Sequence, residues 1–226
     1  MPLADLNRYA QTEFNTAVPE LRARPVHEAQ LRFYQRLNEA LGVATAASTQ
    51  ALACKAGCDY CCHYKIEVTP AEVLTIQQHV VRHFKPEQIQ QVMAQARRNV
   101  AEAKGLSRQA QTGINQRCAF LLNQQCSIYE VRPSNCRSYH ATDVKVCEAS
   151  FHQPDVILPK IQVEAIEDAG GGLASGFEQA MDSLGMDSKL YDFSSAFVEA
   201  MGSPTLAQRI KSGKKAFVKA KLAGAG

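Results

Sequence analysis

Eight cysteines are the residues of this 226-residue chain most able to do chemistry, and four of them stand as Cys54-x3-Cys58-x2-Cys61-Cys62. The other four follow at Cys118, Cys126, Cys136 and Cys147, and neither flanking arm contains a cysteine. Thiolates are soft donors that suit zinc, copper(I) and iron–sulfur clusters, and four of them complete a structural zinc site or one cubane. Cys54 and Cys58 are close enough to bind together, and a loop turning at Gly57 can aim Cys61 at the same centre. Neighbouring side chains in an extended segment point to opposite sides, so Cys61 and Cys62 are expected to face different centres. Two metal centres, or one centre with an additional thiol beside it, follow from that reading. All eight cysteines are candidate ligands, with Cys147 balanced between ligand and buried small side chain.

Compartment decides whether thiols pair or bind metal. The opening Met1-Pro2-Leu3-Ala4-Asp5-Leu6-Asn7-Arg8 has no basic region followed by an apolar run, and no stretch approaches the roughly 18 to 20 apolar residues of a membrane span. The expectation is a cytoplasmic protein with free thiols and no membrane partner. A net charge of +3 and a pI near 8.4 are too weak to argue for nucleic acid, and the absence of Trp removes one stacking surface. The sequence identifies neither a substrate nor a protein partner, and no catalytic residue.

Other residues near the cysteines have alternative readings. Arg132 and Arg137 can neutralise an anionic thiolate centre and are the candidate cofactor-binding side chains; their other reading is a surface ion pair or carbonyl cap. His63 and His140 can each replace a thiolate, although eight cysteines make neither necessary. Tyr60, Tyr129 and Tyr139 can donate a proton beside the centre or serve as core or rim aromatics. Gly170-Gly171-Gly172 with Gly176 lacks the G-x-G-x-x-G spacing of a nucleotide loop, and close helix packing, or a hinge, explains it more simply.

The elements that must hold these residues are mostly helical. Leu31, Tyr34, Leu37 and Leu41 recur at helical spacing over residues 26–47, and the Ala/Thr-rich stretch 44–53 continues toward the first cysteine. Ile66-Glu67-Val68 reads as a short strand, and Thr69-Pro70-Ala71-Glu72 combines an N-cap residue, a proline at the first helical position and a capping-box glutamate. A further helix opens at Pro86 and runs through Val100. Phe120-Leu121-Leu122, a turn over 123–125 and Cys126-Ser127-Ile128-Tyr129 suggest a hairpin that brings Cys118 and Cys126 together. From Pro159 a helical stripe of Ile161, Ala165, Ala169, Leu173, Phe177, Met181 and Leu184 passes through the glycine triplet. Ser203-Pro204 is expected to cap a last helical piece, and residues 205–226 carry basic side chains and no acid, which reads as a solvated, partly helical tail more readily than as a site for an anionic partner such as RNA or a protein surface.

These signals predict a mainly α fold: a single helical domain with a small β-hairpin and a cysteine-rich metal-binding centre. The organisation expected is a helical N-terminal arm over 1–50, the cysteine-cluster metal-binding domain over 51–150, a helical part packing on it over 151–204, and the basic tail over 205–226.

Cys54-Lys-Ala-Gly-Cys58-Asp-Tyr-Cys61-Cys62, together with Cys118-Ala-Phe-Leu and Cys126-Ser-Ile-Tyr-Glu-Val-Arg-Pro-Ser-Asn-Cys136-Arg-Ser-Tyr139, resembles the YkgJ-type cysteine-cluster family. The likeness covers roughly residues 50 to 150 and is carried by the two halves jointly. It implies a zinc- or iron-chelating domain, often labelled an iron–sulfur oxidoreductase, and one relative, flagellin lysine N-methylase, implies that such a cluster can serve methyl transfer. Ala119 stands where the family usually has proline, and this chain is much shorter than the methylase. The function expected is a cysteine-ligated metal protein carrying an iron–sulfur cluster with a redox or group-transfer role. The alternative is a non-enzymatic zinc protein with structural four-cysteine sites and an interaction role.

Overall fold

The computed structural model describes residues 2–156, 158–220 and 222, leaving aside the side chains of 2–4, 108 and 112. Among these residues the chain forms ten helices and four two-residue strands, a mainly α architecture as the patterning predicts. Two long helices, α1 (Pro2–Ala23) and α2 (Val26–Ala47), open the fold. Three more helices follow, α3 (Pro70–His83), α4 (Pro86–Glu102) and the short α5 (Arg108–Thr112). The second half comprises α6 (Ser134–Ser138), α7 (Val144–His152), α8 (Glu164–Ser183), α9 (Phe193–Ala200) and α10 (Leu206–Lys211).

Helix α8 is the spine, and glycine makes it so. Gly170, Gly171 and Gly172 lie inside it, at some cost in helix propensity. A Cβ at Gly172 would stand 2.5 Å from the Leu6 carbonyl oxygen, and one at Gly176 would collide with the carbonyl oxygen of Ala10. The bare Gly172–Gly176 edge therefore lets the α1 backbone lie directly on α8. Gly170 does the same for α6, where Ser138 occupies the space a Cβ would need. On the other side of α8, Phe177 stacks on Phe33 of α2 with ring centroids 4.7 Å apart.

Helices α1 and α2 are further tied by Arg36, which donates to Glu13 at 2.6 and 2.8 Å and to Glu20 at 3.0 Å. Glu13 is buried, and its carboxyl pKa is raised, burial outweighing the opposing Arg36 bonds. Helix α2 ends at Ala47 with Ser48 as its C-cap, so the Ala/Thr stretch beyond it is not helical, contrary to expectation. Residues 48–53 instead lead into the cysteine loop, and the Ala53 amide donates to the Ala141 carbonyl at 2.7 Å.

Strand β1 (Glu67–Val68) pairs antiparallel with β4 (Tyr191–Asp192), in the register Glu67 to Asp192 and Val68 to Tyr191. The expected hairpin is β2 (Leu121–Leu122) and β3 (Gln125–Cys126), with Asn123 and Gln124 both at positive φ, 50° and 59°. Two left-handed residues match the twist of the flanking strands, which is why a turn this tight closes there. Phe120 beside it packs on Phe197 and Phe193 of α9, with centroids 4.8 and 5.5 Å away.

The C-terminal segment departs from expectation. Leu206, Ile210, Ala216 and Phe217 are buried. The amides of Val218, Lys219 and Ala220 all donate to the Glu199 carboxylate at 2.7–3.0 Å, and the Ala216 amide donates to Asp187 at 2.7 Å. Two acids from elsewhere in the chain thus anchor a segment that is basic by composition, and its apolar residues close the core. Helix α10 begins after Thr205 and stops at Ser212, with Gly213 at φ +66°, so the stop falls where the Ser-Gly pair breaks the pattern. Lys221 and residues 223–226 of the basic segment lie outside the described residues.

Candidate metal centre

The two halves of the cysteine pattern meet through main-chain hydrogen bonds. The leading loop turns at Gly57, φ +84°, where the Cys58 amide donates to the Lys55 carbonyl at 3.1 Å. It then enters a 3-10 turn, Tyr60–His63. From the trailing half, the Cys118 amide donates to the Cys62 carbonyl at 2.8 Å and the Gln116 amide to the His63 carbonyl at 3.0 Å. The Cys54 sulfur accepts from the Ala141 amide at 3.3 Å. Cys126 lies across the hairpin from Leu121, and Cys136 rides on α6.

Cys61, Cys62, Cys118, Cys126 and Cys136 line one cavity of about 540 Å³, with Tyr64 and Tyr139 among its walls. Their rings meet edge to face at 5.9 Å. Cys61 and Cys62 belong to the 3-10 turn rather than to an extended segment, so the alternation expected of them does not hold. Successive side chains of such a turn are only about a third of a turn apart, and both line the same cavity.

The thiols divide by their electrostatic neighbours. Burial raises the pKa of Cys136, with Cys118, Cys126 and Cys61 adding to the effect. Burial pushes Cys118 up to about 12, with Cys126 and Cys61 contributing. The buried Cys147 on α7 is pushed up to about 11, by burial first and then by Cys54, Cys58 and Cys61. Cys61 belongs to both groups; its own pKa rises through its bond to the Cys62 sulfur and through burial. Cys61, Cys118, Cys136 and Cys147 are thus neutral groups that a cation would convert to thiolates.

The donor set fits a thiophilic metal in kind and in number. Among the described residues no three His, Cys, Asp or Glu side chains converge on a point that could hold an ion. The sulfurs line the cavity wall, and closing them around a metal requires deprotonation and inward rotation.

The two arginines play different parts. Arg132 lies on the cavity wall, stacks over Tyr129 at 3.7 Å and donates to the Tyr129 carbonyl at 2.8 Å. Arg137 is buried away from that lining: it donates to the carbonyls of Arg132 and Glu130 and to Asn38, and stacks 4.0 Å over Tyr34. Both guanidiniums oppose the burial that raises the Cys126 pKa. The imidazole Nδ1 of His63 lies 3.1 Å from the Asp59 carbonyl, that of His140 lies 3.2 Å from the Ser138 carbonyl, and neither ring is on the cavity wall. Tyr60 packs on Phe151 instead, and Tyr129 is exposed.

Two residues that the cysteine pattern does not point to bear on the site: Tyr64 is on the cavity wall, and Glu72 lies outside that lining. Tyr64 is not among the tyrosines the sequence singles out, and its place two residues after Cys62 is the one signal that could have found it. Glu72 was legible as a capping-box residue, and the structure gives its carboxylate a second partner, Ser134, two residues before Cys136.

A family model described as "CxxCxxCC: Putative zinc- or iron-chelating domain" matches residues 53–158. No curated protein and no solved structure matches the chain. The matched span begins where Ala53 pairs with Ala141 and ends beyond α7, enclosing every cysteine. Over residues 53–158, then, the chain is similar to this zinc- or iron-chelating family.

Proposed function

We propose that the cysteine cavity holds an iron–sulfur cluster and that the protein uses it in a redox or group-transfer reaction. The observation that carries this reading is the size of the cavity. A lone structural zinc is wrapped by four ligands with no space left over, whereas a void of about 540 Å³ is more than ten times the volume of one water. Five thiols on its wall suit a polynuclear centre with an open side.

In this reading Cys118, Cys126 and Cys136, with Cys61 or Cys62, are the ligands of that cluster, and Cys54, Cys58 and Cys147 are thiols for a neighbouring centre. The cluster would supply one-electron chemistry or an electrophilic iron. Arg132, on the wall, offsets the negative charge of a thiolate-bound centre, and Arg137 does so from behind it while bracing the 129–137 turn. Ile128 and Phe193 keep part of the wall apolar, and Tyr64 and Tyr139 are, with Lys65 and Glu167, among the proton-bearing groups on it.

Single serine replacements test the assignment. Cys118→Ser, Cys126→Ser and Cys136→Ser should each lower iron content and visible absorption several-fold in anaerobically purified protein. Unchanged iron in all three would reject the cavity as the cluster site.

A further inference from the structure

Helix α3 carries His79 and His83 four residues apart, which places both imidazoles on one face. Their ring centroids are 4.6 Å apart with the planes inclined at 40°. His83 is exposed and His79 half-buried, with the Phe84 ring T-shaped to it at 6.1 Å between centroids. Neither ring takes part in a hydrogen bond or an ion pair among the described residues, so their nitrogens are available to a ligand. His63 and His140, by contrast, each have a ring nitrogen beside a backbone carbonyl.

Two imidazoles at this spacing form a bidentate chelate for borderline divalent ions, which prefer nitrogen donors and follow the order of increasing affinity toward copper(II). The charged neighbours of His79 are Glu130 of the 129–131 turn, which favours a cation there, and Arg82, which opposes one. Neither histidine lines the cysteine cavity. His79 lies seven residues along α3 from Glu72, about 10 Å at the α-helical rise.

We propose that His79 and His83 form a second, nitrogen-donor metal site that takes nickel(II), copper(II) or zinc(II), with water completing the coordination. It is separate from the thiol centre in place and in donor chemistry, and stands whether that centre holds iron, zinc or neither.

The test is equilibrium dialysis of the full chain, as purified, against nickel(II), with His79→Gln, His83→Gln and the double variant beside it. The wild type should bind about one more nickel per chain than the double variant, and each single variant should bind that ion at least about tenfold more weakly. The iron and zinc content of the thiol centre should be equal in all four. Independently of any substitution, substoichiometric nickel should broaden the imidazole resonances of His79 and His83 before those of the other histidines. Equal nickel binding in wild type and double variant overturns the proposal, as does broadening that begins at other histidines or at none.

Discussion

Glu72 holds Ser134 twice, accepting from its amide at 2.7 Å and from its hydroxyl at 2.6 Å, so the first turn of α3 fixes the helix that carries Cys136. The other carboxylate oxygen accepts from the Thr69 amide at 2.9 Å, completing the capping box. Glu72 is 4% exposed, and removing its carboxylate would strand buried donors. Hydrogen bonds to a charged group contribute about 1.5–3 kcal/mol each, and a lost acceptor exposes the desolvation cost of its donors. We expect Glu72→Ala to destabilise the chain by about 3 kcal/mol in urea unfolding, and Ser134→Ala by about 1–2 kcal/mol. Both should lower metal retention, because Cys136 is no longer held in register; equal metal content in wild type and Glu72→Ala would separate the brace from the site.

The glycines of α8 should respond in opposite ways to the same substitution. Gly176→Ala drives a methyl into the α1 backbone at Ala10 and should cost about 1–3 kcal/mol. Gly171→Ala meets nothing within 4 Å and should stabilise the helix by up to about 1 kcal/mol. Thermal unfolding of the two variants measures the contrast.

Which parts of this were readable in advance follows from range. Helix α2 was legible over 26–47 from its apolar spacing, though not its stop within the Ala/Thr stretch, and the start of α3 from Thr69, Pro70 and Glu72, because those signals act within a few residues. The burial of Phe217 was not legible, since it depends on Glu199 and Asp187 binding the amides of a distant segment. Nor was the shared face of Cys61 and Cys62, since a 3-10 turn and an extended loop have the same cysteine spacing. The glycine triplet was legible as close packing or a hinge; the structure shows close packing, and which helices it joins was not legible.

Glu178 should give a pH dependence of its own. Burial, and secondarily Glu72, raise its carboxyl from 4.5 to about 7. The folded chain then binds more protons than the unfolded chain between those values, so stability falls as pH rises through 7. Glu178→Gln should match the wild type near pH 4 and exceed it at pH 8. Urea midpoints across that range check the sign.

Metal removal should expose the thiols. With Cys118 at about 12 and Cys147 at about 11, the folded metal-free chain keeps protons that the unfolded chain gives up at lower pH. Its stability should be full below the ordinary thiol range and fall as pH rises through the folded values. A loaded chain has already lost those protons and should show the reverse, releasing metal as pH falls. Melting temperatures in chelator and in metal, from pH 5 to 11, should therefore diverge at both ends.

The central claim is tested most directly by iron, zinc and acid-labile sulfide content, with a visible spectrum, on protein purified anaerobically and without reconstitution. Iron and sulfide are expected in comparable amounts, with broad absorption toward the blue that bleaches on reduction. Stoichiometric zinc in a colourless protein would contradict it and make the cysteine domain a structural zinc site.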